Sequence, residues 1–194
     1  MESESRPKKK KKNILSSVSG RWVITITLVS FVLSVGMSYA SSEALSHVGN
    51  LLAFVILLAF ILLGILFDMI GVAATAATER SFHAMAAKKI NGARQAVWIT
   101  RNAEKVGSFC NDVVGDISGI ISGATSAIIV THISQNLDNM LSVVVSLVIT
   151  GMVAALTIGG KAAGKGIAVM CSSKVLALCG RVLSVLPLKL DNRK

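Results

Sequence analysis

The sequence predicts an all-α membrane protein with about four transmembrane helices and further amphipathic helices lying at the membrane interface. The 194 residues are 53% hydrophobic and only 15% charged, with a mean hydropathy of +0.68. This composition is too apolar for an ordinary soluble domain. Four stretches are long and apolar enough to cross a hydrocarbon core about 30 Å thick. The basic residues cluster at the edges of these stretches, as is typical of membrane proteins.

The first two apolar stretches follow a basic N-terminal tail, residues 1–21, which contains five consecutive lysines at 8–12. Residues 22–40 carry no charge and predict the first span. A secretory signal is the alternative interpretation, because Ser-Tyr-Ala-Ser at 38–41 is typical of a cleavage site. The stretch exceeds the usual signal core of about 7 to 15 residues, which favours a retained helix. The second span covers residues 51–67 and continues through Asp68 into small residues at 71–78.

Residues 79–105 are too charged to cross a membrane and are predicted to form helices at its interface, with Trp98 as an anchor at headgroup depth. Asn91 and Gly92 predict a break between two such helices. The third span is predicted from about residue 107 to 130, and the fourth from 140 to 160. The predicted transmembrane domain is therefore residues 22–160.

Residues 161–194 predict a basic amphipathic helix on the cytoplasmic surface. Lys174 and Arg181 are seven residues apart and share one helical face. Pro187 is predicted to end this helix. The residues predicted on the opposite, apolar face are Val169, Leu176, Cys179 and Leu183.

Charge placement predicts the orientation. If the four spans alternate in direction, the links at 41–50 and 131–139 share one side, and neither contains a Lys or Arg residue. All 20 basic residues then lie on the other side or at its edge. The positive-inside rule therefore predicts that both termini and residues 79–105 lie in the cytoplasm. The expected location is the plasma (inner) membrane. The net charge of +10 indicates anionic lipids as partners of the basic segments rather than nucleic acid.

Acidic and polar residues in the third span predict an ion site. Asp112 and Asp116 are four residues apart, so they share a helical face. Carboxylate, amide, hydroxyl and carbonyl oxygens suit a hard cation such as Mg²⁺. The alternative is that these acids reach interfacial water or pair with Lys105 or Arg101. The predicted metal ligands are Asp112, Asp116, Asn111, Asp68, Ser108 and Gly115.

Other kinds of site have little support in the sequence. No candidate nucleophile is paired with a general base in a recognisable catalytic motif, and no glycine-rich loop follows a predicted strand. Neither an enzyme nor a resident cofactor is therefore expected. Three cysteines, Cys110, Cys171 and Cys179, lie in apolar or amphipathic segments without the spacing of a zinc site. They are interpreted as small buried hydrophobic residues.

Three stretches together resemble a known family. Residues 85–97 read Met-Ala-Ala-Lys-Lys-Ile-Asn-Gly-Ala-Arg-Gln-Ala-Val, and residues 101–108 read Arg-Asn-Ala-Glu-Lys-Val-Gly-Ser. Residues 159–165 read Gly-Gly-Lys-Ala-Ala-Gly-Lys and lead into Lys-Val-Leu-Ala-Leu at 174–178. In this order they resemble the juxtamembrane helices, the next span's start and the final amphipathic helix of the CorC/CorB and cyclin M (CNNM) transmembrane domain. The resemblance covers about residues 67–186.

This family is associated with Mg²⁺ and Co²⁺ transport. The resemblance implies a divergent divalent-cation transporter or its membrane subunit, forming a homodimer around an ion site. Asp68 stands at the bend where the family has Phe-Ser-Gly-Ser-Glu, of which this chain keeps only the phenylalanine. The family's cytoplasmic nucleotide-sensing domain is not expected within this chain. The alternative function is a membrane scaffold that binds a protein partner through its small-residue helix faces.

Overall fold

The structure, a computed structural model, describes residues 20–46, 49–135 and 137–185. The lysine run at 8–12 and the predicted helix end at Pro187 lie outside these residues. The described chain contains helices and no strand, as the sequence predicts. The helices are α1 (Gly20–Ser46), α2 (Asn50–Ala76), α3 (Glu79–Ala87), α4 (Ala93–Arg101), α5 (Ala103–Ser108), a π-helical segment (Phe109–Gly115), α6 (Asp116–Ser134), α7 (Asn139–Met170) and α8 (Ser172–Val185).

Four helical stretches of the described chain are long and apolar enough to cross a membrane, which confirms the predicted fold class. They are Gly20–Glu43, Asn50–Ala76, Ala103–Ser134 and Asn139–Met170. The third stretch is one continuous helix made of α5, the π segment and α6, and we call it span three. The two short helices α3 and α4 and the final helix α8 are amphipathic and complete the fold.

Helix α2 is the centre of the bundle, because it packs against α7, α6, the π segment, α5 and α8. At one end of the bundle, Asn50 Oδ1 lies 3.3 Å from His132 Nδ1. At the other end, a Cβ on Gly107 would lie 3.3 Å from the Thr75 side chain. We call the first the link end and the second the basic end, since α3, α4 and α8 with their Lys and Arg residues lie there.

Glycines let α2 approach its neighbours closely. In α7, a Cβ on Gly160 would overlap the Ile65 side chain, and one on Gly164 would lie 2.9 Å from Met69 Cγ. A Cβ on Gly64 of α2 would lie 3.2 Å from the Cβ of Ser118. Small residues at such spacings are how helices pack in lipid, where no hydrophobic effect drives them together.

The basic end carries its own hydrophobic core, which we call the basic-end core. Its buried members come from α2, α3, α4, α7 and α8, and they are Ala73, Ala74, Phe82, Ala96, Ile99, Ala168 and Leu176. The predicted break at Asn91 and Gly92 is confirmed, since Gly92 has a φ of 86° and α4 begins at the next residue. A Cβ on Gly92 would overlap the backbone of α8 at Gly180 and Arg181.

The final amphipathic helix differs from its predicted position. Helix α7 does not end near Gly160 but continues to Met170, and α8 begins at Ser172. The placement of Val169 on the tail helix was therefore wrong, because it belongs to α7 and is exposed. Lys174 is exposed and Leu176 is buried in the basic-end core, as predicted. Lysine and alanine favour a helix, and tertiary packing can outweigh the helix-weakening effect of the adjacent glycines at 159 and 160.

Glu79 at the start of α3 joins this helix to α4. Arg101 Nε donates a hydrogen bond to Glu79 Oε1 at 2.6 Å, and His83 Nε2 lies 2.7 Å from the same oxygen. The Arg101 hydrogen bond, followed by that of His83, holds the pKa of Glu79 below its ordinary value. A lowered folded-state pKa stabilises the protein above the ordinary value of 4.5 and loses this contribution as the pH falls through the lowered value.

We therefore expect the melting temperature to fall on acidification below pH 4.5 by more in the wild type than in Glu79→Gln. The difference should be small, because the pair is exposed to solvent. Melting curves between neutral and acidic pH check this. Glu104→Gln, which removes an exposed carboxylate of α5, is the control and should follow the wild type. If the melting temperatures of Glu79→Gln and the wild type fell by the same amount on acidification, this role for Glu79 would be contradicted.

Candidate functional site

A buried carboxylate lies where α2, the π segment and α7 meet. Asp68 is only 3% exposed, and Lys165 Nζ lies 3.3 Å from its Oδ2 atom. This oxygen accepts no hydrogen bond from any described residue. Asp68 follows Asn50 by 18 residues, or about 27 Å along the helix, so it lies within span length near the basic end. A charged group at this depth is costly and is normally kept for a function.

A second lysine of α7 reaches the same place. Lys161 is half-buried, and its Nζ donates a hydrogen bond to the Gly115 carbonyl at 3.1 Å. A Cβ on Gly115 would lie 3.5 Å from Lys161 Nζ and 3.8 Å from Asp68 Oδ1. The absence of a side chain at Gly115 therefore allows the carboxylate, the carbonyl and the ammonium group to converge. Lys161 and Lys165 are four residues apart and share one face of α7.

The π segment supplies the other polar groups. Its wider turn disturbs the regular hydrogen-bond pattern of span three, and such segments are frequent at functional sites. Asn111 packs its side-chain amide against Gly71, where a Cβ would overlap the amide oxygen. The Asn111 Oδ1 atom is buried and has no hydrogen-bond partner in the described part of the chain. Gly71 follows Asp68 by about one turn of α2, so Asn111 contacts α2 about one turn closer to the basic end than Asp68.

The structure brings together only part of the predicted ligand set. Asp68, Asn111 and Gly115 lie at the same junction. Asp112 and Asp116 are both exposed, on the side of span three that faces away from α2. Ser108 is partly buried, about one helical turn closer to the basic end than Asn111.

The position of the two acids follows from the packing of span three. Val113, Ile117 and Ile121 are buried with partly buried residues of α1 and Phe60, while Ser118 faces α2. These contacts occupy the sides of the helix next to Asp112 and Asp116 and leave the acids outward. The alternative pairing with Arg101 or Lys105 is not formed: Arg101 binds Glu79, and Lys105 Nζ lies 5.6 Å from the Trp22 ring centroid.

The two lysines are the residues that the sequence analysis missed. Lys161 and Lys165 were placed in the cytoplasmic tail, because they follow a stretch of 21 uncharged residues and a charge normally marks the end of a span. A signal was present. No proline or polar turn separates this stretch from residue 170, so the helix was free to continue and to carry both lysines back onto α2.

The donor set at this junction is one carboxylate with neutral oxygens. Mg²⁺ prefers octahedral oxygen ligands, usually one or two carboxylates and several retained waters. Asp68, the Asn111 amide oxygen and the Gly115 carbonyl fit the minimum of such a set. Among the described residues, no group of three or more His, Cys, Asp or Glu side chains lies close enough to hold a metal ion. The two ammonium groups therefore balance the carboxylate and compete with any cation.

Comparison of the chain with protein-family models, curated proteins and solved structures finds no match. The similarity to the CorC/CorB and cyclin M family consequently rests on the three short stretches at 85–97, 101–108 and 159–178. The fold class is independent of that resemblance, because it follows from the four membrane-length helices. The described chain is an all-α membrane protein in which one buried carboxylate, Asp68, lies with two partly exposed lysines near the basic end of the helical bundle.

Proposed function

We propose that the chain is a divergent transporter of divalent cations such as Mg²⁺ or Co²⁺, or the membrane subunit of one, with its ion site at Asp68. The observation that carries this proposal is a nearly fully buried carboxylate within a span; the Asn111 amide oxygen, which packs on Gly71 about one turn of α2 away, is also buried and lacks a partner among the described residues. Ionisable groups inside a membrane span commonly mark ion pathways. The family resemblance supports the divalent class of cargo.

In this proposal Lys165 occupies the cation position when no ion is bound. Its side chain is half exposed at the ion pair, whereas that of Asp68 is buried. The ammonium group can therefore turn toward solvent, but it leaves a buried carboxylate without its partner unless a cation takes its place. An arriving cation would replace one positive charge by another, so the buried carboxylate never remains unbalanced. Transport would follow from alternating exposure of this site.

The two lysines also set the affinity. Two unit charges 4 Å apart repel by about 4 kcal/mol at an effective dielectric constant of 20, and the repulsion doubles for a divalent ion. Both ammonium groups must therefore move for a divalent cation to bind at Asp68. We expect weak binding in the wild type, which suits a site that must also release its ion.

Orientation and partners belong to the same proposal. The positive-inside rule places the basic end, and with it Asp68, on the cytoplasmic side of the plasma (inner) membrane. Exposed basic residues of α3, α4 and α8 are suited to the phosphates of anionic lipids. A homodimer is proposed, because the exposed carboxylates of Asp112 and Asp116 within span three require a covering partner or water.

The test is Mg²⁺ binding, by calorimetry and by the shift in melting temperature, in purified protein. Asp68→Asn keeps the shape of the side chain and removes its charge, so we expect it to abolish binding. The control is the double variant Asp112→Asn and Asp116→Asn, which removes two carboxylates outside the junction and should retain binding. Unchanged binding in Asp68→Asn, or its loss only in the control, would overturn the assignment.

A scaffold is the second candidate function, and one surface favours it. The outward side of span three presents Asp112, Asp116, Gly123 and Ile120, and no Cβ contact lies within 4 Å of Gly123 in the described chain. Small residues on such a face let another helix approach closely. If the melting temperature of the wild type did not change on addition of Mg²⁺ and the protein co-purified with a protein partner, the scaffold would be favoured over the transporter.

A further inference from the structure

Two neighbouring clefts open beside the short helices of the basic end. The first, which we call the turn cleft, has a volume of about 330 Å³ and lies between the turn that joins α3 to α4 and the end of α8; Lys89, Arg94 and Ser184 are among its lining residues. The second, which we call the hairpin cleft, has a volume of about 210 Å³ and is lined by residues of α3 and α4 that include His83 and Arg101. Arg94 lines both clefts, so they adjoin one another.

The charged groups that line these clefts are basic. The side chains of Lys89 and Arg94 are exposed and form no hydrogen bond or ion pair with any described residue. Arg101 and His83 both contact Glu79, but a guanidinium has five N–H donors, so Arg101 keeps donors for another acceptor. Among the described residues that line the clefts, none is acidic. The complementary ligand is therefore an anion.

The hairpin cleft lies at the depth of the lipid headgroups. Lys105 Nζ lies 5.6 Å from the centroid of the Trp22 ring near the start of α1, and tryptophan and lysine are typical of the ends of membrane spans. Arg101 precedes Lys105 by four residues, or about 6 Å along a helix. The headgroup layer extends about 5–8 Å beyond each side of the hydrocarbon core. Arg101, and with it one end of the hairpin cleft, therefore lies within this layer.

Helix α8 provides an independent indication of lipid beside the turn cleft. Leu178, Val182 and Val185 are exposed, and their spacing of four and three residues places them on one side of the helix. The opposite side holds Leu176 in the basic-end core. An exposed apolar stripe on a basic helix is typical of a helix that lies at a membrane surface. Since Ser184 of α8 lines the turn cleft, this cleft opens beside a helix that contacts the membrane.

We infer that the two clefts together bind the phosphate group of an anionic phospholipid, with Arg94 as the central donor between Lys89 and Arg101. A guanidinium can bind a phosphate through two parallel hydrogen bonds, and a lysine adds a point charge. A lipid phosphate fits better than a free phosphate ion, because the clefts lie at headgroup depth beside the apolar stripe of α8. The inference specifies the anionic-lipid partner named in the proposed function and is independent of the transported ion.

The experiment compares two equal losses of charge within the same segment. Lys89→Gln with Arg94→Gln, the cleft variant, removes two positive charges from the clefts. The control, Arg80→Gln with Lys88→Gln, removes two exposed charges that line neither cleft. Each purified full chain is titrated in dodecyl maltoside, without divalent cations, with dioleoylphosphatidylglycerol, dioleoylphosphatidylcholine or inorganic phosphate. The rise in melting temperature gives the apparent affinity for each.

We expect phosphatidylglycerol to raise the melting temperature of the wild type by more than phosphatidylcholine or an equal concentration of inorganic phosphate. The cleft variant should bind phosphatidylglycerol at least about tenfold more weakly than the control, because it loses charge-assisted bonds to the phosphate in addition to the general attraction that both variants lose. Equal affinities of the two variants would show a diffuse basic surface and overturn the site. An equal response of the wild type to inorganic phosphate or to phosphatidylcholine would overturn the anionic lipid as its ligand.

The lipid site and the ion site can fail separately. Asp68 does not line either cleft, so Asp68→Asn should keep the wild-type affinity for phosphatidylglycerol even where Mg²⁺ binding is lost. A wild type that binds no Mg²⁺ but discriminates between the cleft variant and the control would retain the lipid site and lose the proposed cargo.

Discussion

Replacing both Lys161 and Lys165 with methionine is expected to lower the free energy of unfolding by about 3–5 kcal/mol in cation-free buffer, the usual cost of removing the partners of a buried charge. Asp68 would keep its burial and lose both ammonium groups. The same change should strengthen Mg²⁺ binding by at least about tenfold, since tenfold requires the relief of only about 1.4 kcal/mol of repulsion. Saturating Mg²⁺ should then restore much of the lost stability.

The measurement is a Mg²⁺ titration of the melting temperature in detergent. The matched control is Lys88→Met with Lys174→Met, which removes two exposed lysines of the basic end without touching the junction. We expect the control to keep the stability and the weak Mg²⁺ response of the wild type. If the variant Lys161→Met with Lys165→Met were as stable as the wild type and no more responsive to Mg²⁺, the ammonium groups would not occupy a cation position.

Replacing Phe82 with alanine is expected to cost about 3–5 kcal/mol of folding free energy, the usual range for a buried aromatic residue. Phe82 is fully buried and is the largest side chain of the basic-end core. Its neighbours there include Ala73, Ala96 and Ala168, which are too short to fill the cavity left by the ring. The loss should therefore separate α3 from α4 and α8 before the membrane helices separate.

Chemical unfolding followed by tryptophan fluorescence checks this, because Trp98 is packed against the same core. Leu178→Ala is the control: Leu178 lies on α8 but is 63% exposed, and surface substitutions usually change stability by less than about 0.5 kcal/mol. Equal stability of the two variants would show that α3, α4 and α8 are held by the membrane surface rather than by the basic-end core.

Much of the fold could be predicted, because it depends on features that can be read along the sequence, such as the length of the apolar stretches and the position of charges. Apolar stretches of membrane length, three of them free of charge, predict spans directly, and the described chain has helices at all four. The break at Asn91 and Gly92 was predictable as well, since glycine readily adopts the positive φ found there. Helix α8 leaves Lys174 and Arg181 exposed, buries Leu176 and packs on α4 and α2.

The site was less predictable, for a physical reason. A four-residue spacing shows that Asp112 and Asp116 share a helical face, but not which face is buried. In a soluble helix the apolar stripe would decide this. Span three offers apolar or small residues on every side, so its periodicity cannot separate lipid from protein. The buried acid is Asp68, which the sequence analysis named as a ligand without predicting its burial, because its neighbours Gly115 and Lys165 are far away in sequence.

The π segment has no sequence signature, and the return of Lys161 and Lys165 has only a weak one, the absence of a proline or polar turn before residue 170. A charge after a long apolar stretch normally marks a membrane boundary. The helix continues here, and its ammonium groups meet the Gly115 carbonyl of span three and the Asp68 carboxylate of α2. That solution depends on the glycines of α7 and of the π segment, whose effect appears only once the helices are packed together.

The measurement that tests the central claim most directly is Mg²⁺ flux into proteoliposomes loaded with a magnesium-sensitive dye, comparing the wild type with Asp68→Asn at equal reconstitution. Our account predicts flux through the wild type and none above protein-free vesicles through Asp68→Asn. The double variant of Asp112 and Asp116 to asparagine should transport like the wild type. Flux that survives in Asp68→Asn would show that the buried carboxylate does not meet the transported ion.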